Sequence, residues 1–126
     1  MRAVDTNLIV RIIARDDPKQ VALAEEFIRG GAWVSQLALA EAAWVLESVY
    51  QRKAPEIMTA IEMLLSHENL TIEDSEVVSL ALEKFRGKPT VGFSDCLLLE
   101  IARKAGHLPL GTFDRDLGKL DGAQKL

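Results

Sequence analysis

The chain has 126 residues, of which 48% are hydrophobic, and this is enough apolar material for a single domain spanning 1–126 with its own core. It contains 15 Lys and Arg residues and 19 Asp and Glu residues, which gives a formal net charge of -4. This charge is atypical of proteins that coat nucleic acid, although it allows a locally basic groove. A single cysteine excludes an internal disulfide, and neither a basic leader nor an apolar run of about 18 residues is present, so we expect a cytoplasmic protein that is neither secreted nor membrane-embedded.

Short strands and helices alternate along the chain. In chain order the predicted elements are a strand at 2–5, a helix over the apolar run 8–13, a helix from 18 to the glycines at 30 and 31, a strand at 32–35, a helix from 36 to about 52, a helix at 55–66, a strand at 70–72, a helix at 75–85, a helix at 94–105 and a strand at 107–113. The tail from 114 to 126 is predicted to form a short helix or turn, with room for one last strand. This alternation predicts a parallel sheet with both faces covered.

Four acidic residues end an apolar stretch or lie within an apolar helical face: Asp5, Glu41, Asp95 and Asp114. Asp5 ends the first strand, Asp95 begins a helix and Asp114 follows the fourth strand. Ligands of open parallel sheets bind at the carboxyl ends of the strands, so these three acids are expected at one edge. An unpaired buried carboxylate costs several kcal/mol, and a shared divalent cation is one way to offset that cost.

Glu41 differs from the other three because it lies in the middle of a predicted helix. Its neighbours one turn away, Leu37, Ala38, Trp44 and Val45, are all apolar, which predicts that Glu41 points inward.

Each acid also has an ordinary structural explanation. Asp5 and Asp95 could cap helices, Asp114 could be a turn residue, and Glu41 could form a buried ion pair with an arginine such as Arg11. Carboxylates without His or Cys partners favour Mg²⁺ or Mn²⁺ over zinc, and two such ions about 3.5–4 Å apart recur in phosphodiester hydrolysis.

Four segments resemble, in order and approximate spacing, the motifs of the PIN-domain nucleases, and within them the VapC-type toxins of toxin–antitoxin pairs. The segments are Val4–Asn7, Glu41–Leu46, Ser94–Leu98 and Thr112–Leu117. The resemblance covers essentially the whole chain. It implies a three-layer α/β/α sandwich with a central, mostly parallel sheet.

The same resemblance implies an Mg²⁺ or Mn²⁺ pocket built by the four acids, and endonucleolytic cleavage of tRNA or ribosomal RNA. It implies that Thr6, Asn7 and Thr112 orient carboxylates and water, with Asp116 as a peripheral acid. It further implies a homodimer that is neutralised by a small, VapB-like antitoxin.

Two other classes of protein share parts of this pattern. A phosphoacceptor receiver domain has a similar length, but it normally carries an acidic pair after its first strand, and this chain has only Asp5 there. The second alternative is a catalytically silent PIN-like module that binds RNA or acts as a scaffold. Six basic residues are candidates for phosphate contact, although each is better explained as a solvated surface charge: Arg11, Arg15, Arg86, Lys88, Arg115 and Lys119.

Several conspicuous side chains are given ordinary roles. We interpret Cys96 as a packing residue and not a nucleophile, and His67 and His107 as surface or capping histidines. The aromatic residues are interpreted as core or dimer-interface residues before base-stacking ones: Trp33, Trp44, Phe27 and Phe93.

Overall fold

Six α-helices and five short strands make up the chain, which a computed structural model describes from residue 1 to residue 126. The elements are β1 (Arg2–Ala3), α1 (Thr6–Ala14), α2 (Pro18–Ile28), β2 (Ala32–Val34), α3 (Gln36–Ser48), α4 (Ala54–Ser66), β3 (Leu70–Ile72), α5 (Ser75–Gly87), α6 (Phe93–Ala105), β4 (Leu110–Thr112) and β5 (Ala123–Lys125), with 3-10 turns at Pro89–Val91 and Leu117–Lys119. Every strand pairing is parallel, so the predicted α/β class is confirmed. The chain divides into two compact units, Met1–Ser75 and Glu76–Leu126.

The first unit is built on a three-stranded parallel sheet in the order β1-β2-β3. Ala32 of β2 aligns with Arg2 on one side and with Leu70 on the other. Helix α1 packs against α2 and α3, and α4 packs against β3 and α3. Ile9, Leu39 and Leu64 are fully buried, so the core of this unit lies among its helices and the inward side chains of its strands.

Helices α2 and α3 of the first unit begin at residues whose side chains cap them. The Asp17 carboxylate accepts a hydrogen bond from Gln20 N at 3.1 Å, and Pro18 occupies the first turn of α2. The Ser35 hydroxyl accepts from Ala38 N at 3.0 Å and begins α3. These bonds satisfy backbone donors that have no partner inside the helix.

The second unit contains α5, α6 and the parallel pair β4-β5, in which Leu110 aligns with Ala123. Helix α6 ends at Gly106, whose φ of 83° is the left-handed conformation that glycine adopts without steric cost. Phe85 and Phe93 pack edge to face with ring centroids 6.2 Å apart. The core of this unit is therefore formed mainly by the buried sides of α5 and α6.

Helix α3 and strands β1 and β4 differ from the predicted bounds, and β1 ends at Ala3 and not at residue 5. Helix α3 ends at Ser48 and not near Arg52, because Gln51 adopts a left-handed φ of 54° and Arg52 N bonds back to Leu46 O at 2.9 Å. Strand β4 begins at Leu110, since the residues from 107 to 109 are exposed and Pro109 has no N–H for a ladder. The optional last strand forms as β5. None of the helices is both long enough and apolar enough to cross a membrane.

Candidate active site

Asp5 connects the first strand to the first helix. Val4 N continues the sheet by donating to Trp33 O at 3.1 Å, and Asp5 Oδ1 then accepts from Leu8 N at 3.0 Å as the N-cap of α1. The capping role is thus real. It engages one carboxylate oxygen of an exposed side chain, so capping and metal binding are compatible at this position.

Glu41 is exposed, and the prediction that it points inward is wrong. Its apolar neighbours Leu37 and Trp44 are themselves 69% and 61% exposed, so the face of α3 that they share is an open surface and not a core face. Apolar neighbours one turn away predict burial only where a partner covers them. The proposed ion pair with Arg11 is also absent, since Arg11 contacts Tyr50 Oη at 2.7 Å and Asp16 at 3.6 Å.

Thr6 links α1 to the carboxylate of Glu41. Its hydroxyl donates to Glu41 Oε2 at 3.3 Å, across two helices that pack directly on each other. The contact orients one oxygen of Glu41, which is the kind of role that the resemblance implies for Thr6. Asn7 is exposed and lines an open groove of about 310 Å³ with Leu23 and Phe27.

In the second unit, the negative charge of Asp114 acts on the carboxyl group of Asp95. Asp95 lies in the first turn of α6 and is half-buried. Burial raises the pKa of Asp95 above its ordinary value of 3.8, and the negative charge of Asp114 raises that pKa further. A bound cation would lower the energy of both ionised groups at this position.

Asp114 is held by two hydrogen bonds at the start of the turn that follows β4. Its Oδ1 accepts from Leu117 N at 2.7 Å, and its own N donates to Thr112 Oγ1 at 3.0 Å. Thr112 therefore orients the backbone of Asp114. Asp116 is half-buried and precedes the 3-10 turn without capping it through its side chain.

The donor chemistry of the four acids fits a hard divalent cation, since all of the ligand atoms are carboxylate oxygens. The chain contains no group of three or more His, Cys, Asp or Glu side chains that could hold a metal ion. The structure brings Asp95 close to Asp114 in one unit and joins Thr6 to Glu41 in the other. The four-acid site stays a prediction.

Glu100 is a buried acid that the sequence reasoning missed. It is only 3% exposed and is the one charged residue in the core, within the run Leu97–Ile101 of α6. The signal was available, because an acid flanked by apolar residues was the criterion used for the other four.

The structure supports the ordinary interpretations of the cysteine and of one histidine. Cys96 is fully buried, and burial raises the pKa of its thiol to about 11, with smaller contributions from the charges of Asp95 and Glu100. A thiol with that pKa is protonated at neutral pH and is a poor nucleophile. His67 Nδ1 accepts a hydrogen bond from Asn69 N at 3.1 Å, as a loop-stabilising residue does.

Comparison with known protein families gives one match that covers nearly the whole chain. The model of the PIN domain family matches residues 2–123. Comparisons with curated proteins and with solved structures give no significant match. PIN domains are generally nucleases, and they typically use divalent metals. Because the match includes all four acids and runs from β1 to β5, the chain belongs to the PIN domain family.

Proposed function

We propose that the chain is a metal-dependent endoribonuclease that cleaves tRNA or ribosomal RNA as the VapC-type toxin of a type II toxin–antitoxin pair. The proposal is carried by the match to a nuclease family over nearly the whole chain, and it is supported by the half-buried Asp95, on which the negative charge of Asp114 acts. Two like charges placed together are costly unless they serve a cation.

Asp5, Glu41, Asp95 and Asp114 would together hold Mg²⁺ or Mn²⁺. When bound, the cation activates water and stabilises the negative charge that develops on the phosphate. The family match supports this assignment, because the matched residues include all four acids.

The chain's own polar groups hold three of these carboxylates in place. Leu8 N fixes one oxygen of Asp5, Leu117 N fixes one oxygen of Asp114, and the Thr6 hydroxyl fixes one oxygen of Glu41. Each hydrogen bond engages a single oxygen, so the second oxygen of each group is compatible with a cation. We assign Asn7 to orienting water or a carboxylate, and Asp116 to the periphery of the site.

We assign only a modest part of substrate binding to the basic residues. Arg11 and Arg15 form ion pairs with Asp16 and Glu25, at 3.6 Å and 2.7 Å, so part of their charge is already balanced. With a formal net charge of -4, the chain relies on the cation for much of its phosphate recognition. Cleavage should weaken as salt rises, and a flat salt dependence would contradict this interpretation.

We also propose a homodimer, a VapB-like antitoxin as partner and a cytoplasmic location. A set of exposed apolar side chains supports a protein interface. One of them lies on α2, and the others lie on α3 or directly after it. They are Leu23, Leu37, Trp44 and Val49, exposed by 65%, 69%, 61% and 65%. Exposed apolar residues on this scale mark interaction surfaces when they are contiguous.

The test is incubation of purified protein with total tRNA and ribosomal RNA, in Mg²⁺, in Mn²⁺ and with a chelator. Asp95→Asn is the inactive variant, and Asp17→Asn is the matched control, because Asp17 caps α2 and has no assigned role in catalysis. Metal-dependent cleavage at discrete sites, lost in Asp95→Asn and kept in Asp17→Asn, supports the nuclease.

The alternative is a catalytically silent PIN-like module that binds RNA or serves as a scaffold. The observation that favours it is the absence of a ready cluster of three metal-binding side chains. Binding of Mn²⁺ distinguishes the two functions directly. A wild-type protein that neither binds Mn²⁺ nor cleaves RNA is the outcome that the silent module predicts.

A further inference from the structure

An ion pair with a buried carboxylate lies on α6 in the second unit. Glu100 of α6 is 3% exposed, and its Oε2 accepts from Arg103 Nε at 3.4 Å, one turn further along the helix. A carboxylate removed from water needs such a partner. Glu100 therefore holds the Arg103 side chain along the surface of α6.

Arg103 reaches a second element from this position. Its Nη2 donates to Asp121 O at 2.6 Å, in the segment between the 3-10 turn and β5. The guanidinium offers its donors in a rigid planar fork, so one side chain can bond a carboxylate and a carbonyl at once. Lysine, with a single ammonium group, cannot reproduce that geometry.

Gly122 makes the close approach possible. A Cβ at this residue would lie 2.9 Å from Arg103 Nη2, and the φ of 95° is one that side chains rarely adopt. The same glycine accepts from Leu110 N at 2.8 Å through its carbonyl oxygen. The contact with Arg103 is thus adjacent to the first hydrogen bond of the β4-β5 pair.

This connection joins the two elements that carry Asp95 and Asp114. Helix α6 begins with Asp95 in its first turn and carries Arg103 in its last. Strand β4 begins beside Gly122 and leads directly to Asp114. We propose that Arg103 is a positioning residue that holds the β4-β5 pair on α6, so that the carboxylates of Asp95 and Asp114 stay close enough to share one divalent cation. The assignment of the cation rests on the proposed function.

The chain contains a matched control for this pair. Glu26 and Arg29 in and after α2 have the same spacing of three residues, but their side chains are 66% and 73% exposed. Arg29→Met therefore removes an ion pair of equal spacing that is open to solvent.

The experiment measures the Mn²⁺ affinity of folded protein by calorimetric titration. The variants are Arg103→Met, Arg103→Lys and Gly122→Ala, with Arg29→Met as the control. We expect Arg103→Met and Gly122→Ala to bind Mn²⁺ about tenfold more weakly, as loss of a residue that orients metal ligands does. Arg29→Met should bind like the wild type. In metal-free protein, the Leu110 amide should exchange its hydrogen faster in Arg103→Met.

Each outcome decides the inference. Unchanged Mn²⁺ affinity in Arg103→Met and Gly122→Ala overturns the positioning role and leaves the nuclease standing. Full affinity in Arg103→Lys also overturns it, because charge alone would then suffice. If Arg103→Met does not fold, Gly122→Ala and Arg103→Lys give the answer. A wild-type protein that binds no Mn²⁺ removes the proposed function and this inference with it.

Discussion

Asp5 has two roles that a single substitution can separate. Its carboxylate caps α1 through Leu8 N, and we propose that it also binds the metal. Asparagine caps helices about as well as aspartate but carries no charge. Asp5→Asn should therefore preserve the fold and weaken the metal site. Asp17→Asn is the matched control, because Asp17 caps α2 through Gln20 N at 3.1 Å and has no proposed metal role.

The expected shifts of the unfolding temperature follow from the length of the chain. With an unfolding entropy of about 2.1 cal/mol/K per residue, a change of about 1 kcal/mol moves the unfolding midpoint of a 126-residue protein by about 4 °C. Replacing an N-cap aspartate by alanine costs about 1 kcal/mol, whereas asparagine caps a helix as well as aspartate does. Mn²⁺ at about 100 times its dissociation constant should add about 2.7 kcal/mol, which corresponds to about 10 °C.

The assay is thermal unfolding in chelator and across a Mn²⁺ titration, for wild type, Asp5→Asn, Asp5→Ala and Asp17→Asn. Without metal, both asparagine variants should unfold within about 1 °C of the wild type, and Asp5→Ala about 4 °C lower. With Mn²⁺, the wild type and Asp17→Asn should gain the full shift and Asp5→Asn much less. A full Mn²⁺ shift in Asp5→Asn would refute the metal role of Asp5 and leave it as a cap.

Three further predictions concern single side chains. Metal-free Asp95→Asn should unfold at a higher urea concentration than the wild type at neutral pH, because the raised pKa of Asp95 in the folded state means that its ionised form destabilises the fold. The difference should vanish as the pH falls below 3.8, where the carboxyl group is protonated in both the folded and the unfolded state. A difference that does not depend on pH would contradict this cause. Trp44→Glu should convert the proposed dimer to a monomer in sedimentation equilibrium, since the indole is 61% exposed, and an unchanged mass would place the interface elsewhere. Cys96 should resist a thiol reagent at neutral pH in the folded protein and react once the protein is unfolded, and rapid labelling of the folded state would contradict its burial and its pKa of about 11.

The order and type of the elements could be predicted because local signals agree with the fold. Pro18 begins α2 as expected, and β3 forms at Leu70–Ile72 as predicted. The end of α3 could not be predicted from the sequence. The residue that adopts the left-handed conformation there is Gln51, whereas the usual sequence signal for that conformation is glycine.

The burial of the acids could not be predicted, because helical periodicity shows which residues share a face and not whether that face is covered. Leu37, Glu41 and Trp44 share a face of α3 that is exposed. On α6 the apolar residues Leu98 and Ile101 are 50% and 38% exposed, whereas the buried side carries Cys96, Leu99 and Glu100. A run of consecutive apolar residues surrounds the helix and leaves its orientation undetermined.

The exposure of Asp5, Glu41 and Asp114 changes the energetic argument for a metal. Solvated carboxylates need no cation to stay in place, and the carboxylates of Asp5 and Asp114 each already accept a hydrogen bond from a backbone N–H. Only Asp95 carries a cost, from its burial and from the charge of Asp114. The chain should therefore fold without metal, unlike small domains whose core depends on one. A divalent cation would add binding free energy to an already folded protein, so chelation should abolish RNA cleavage well before it affects the fold.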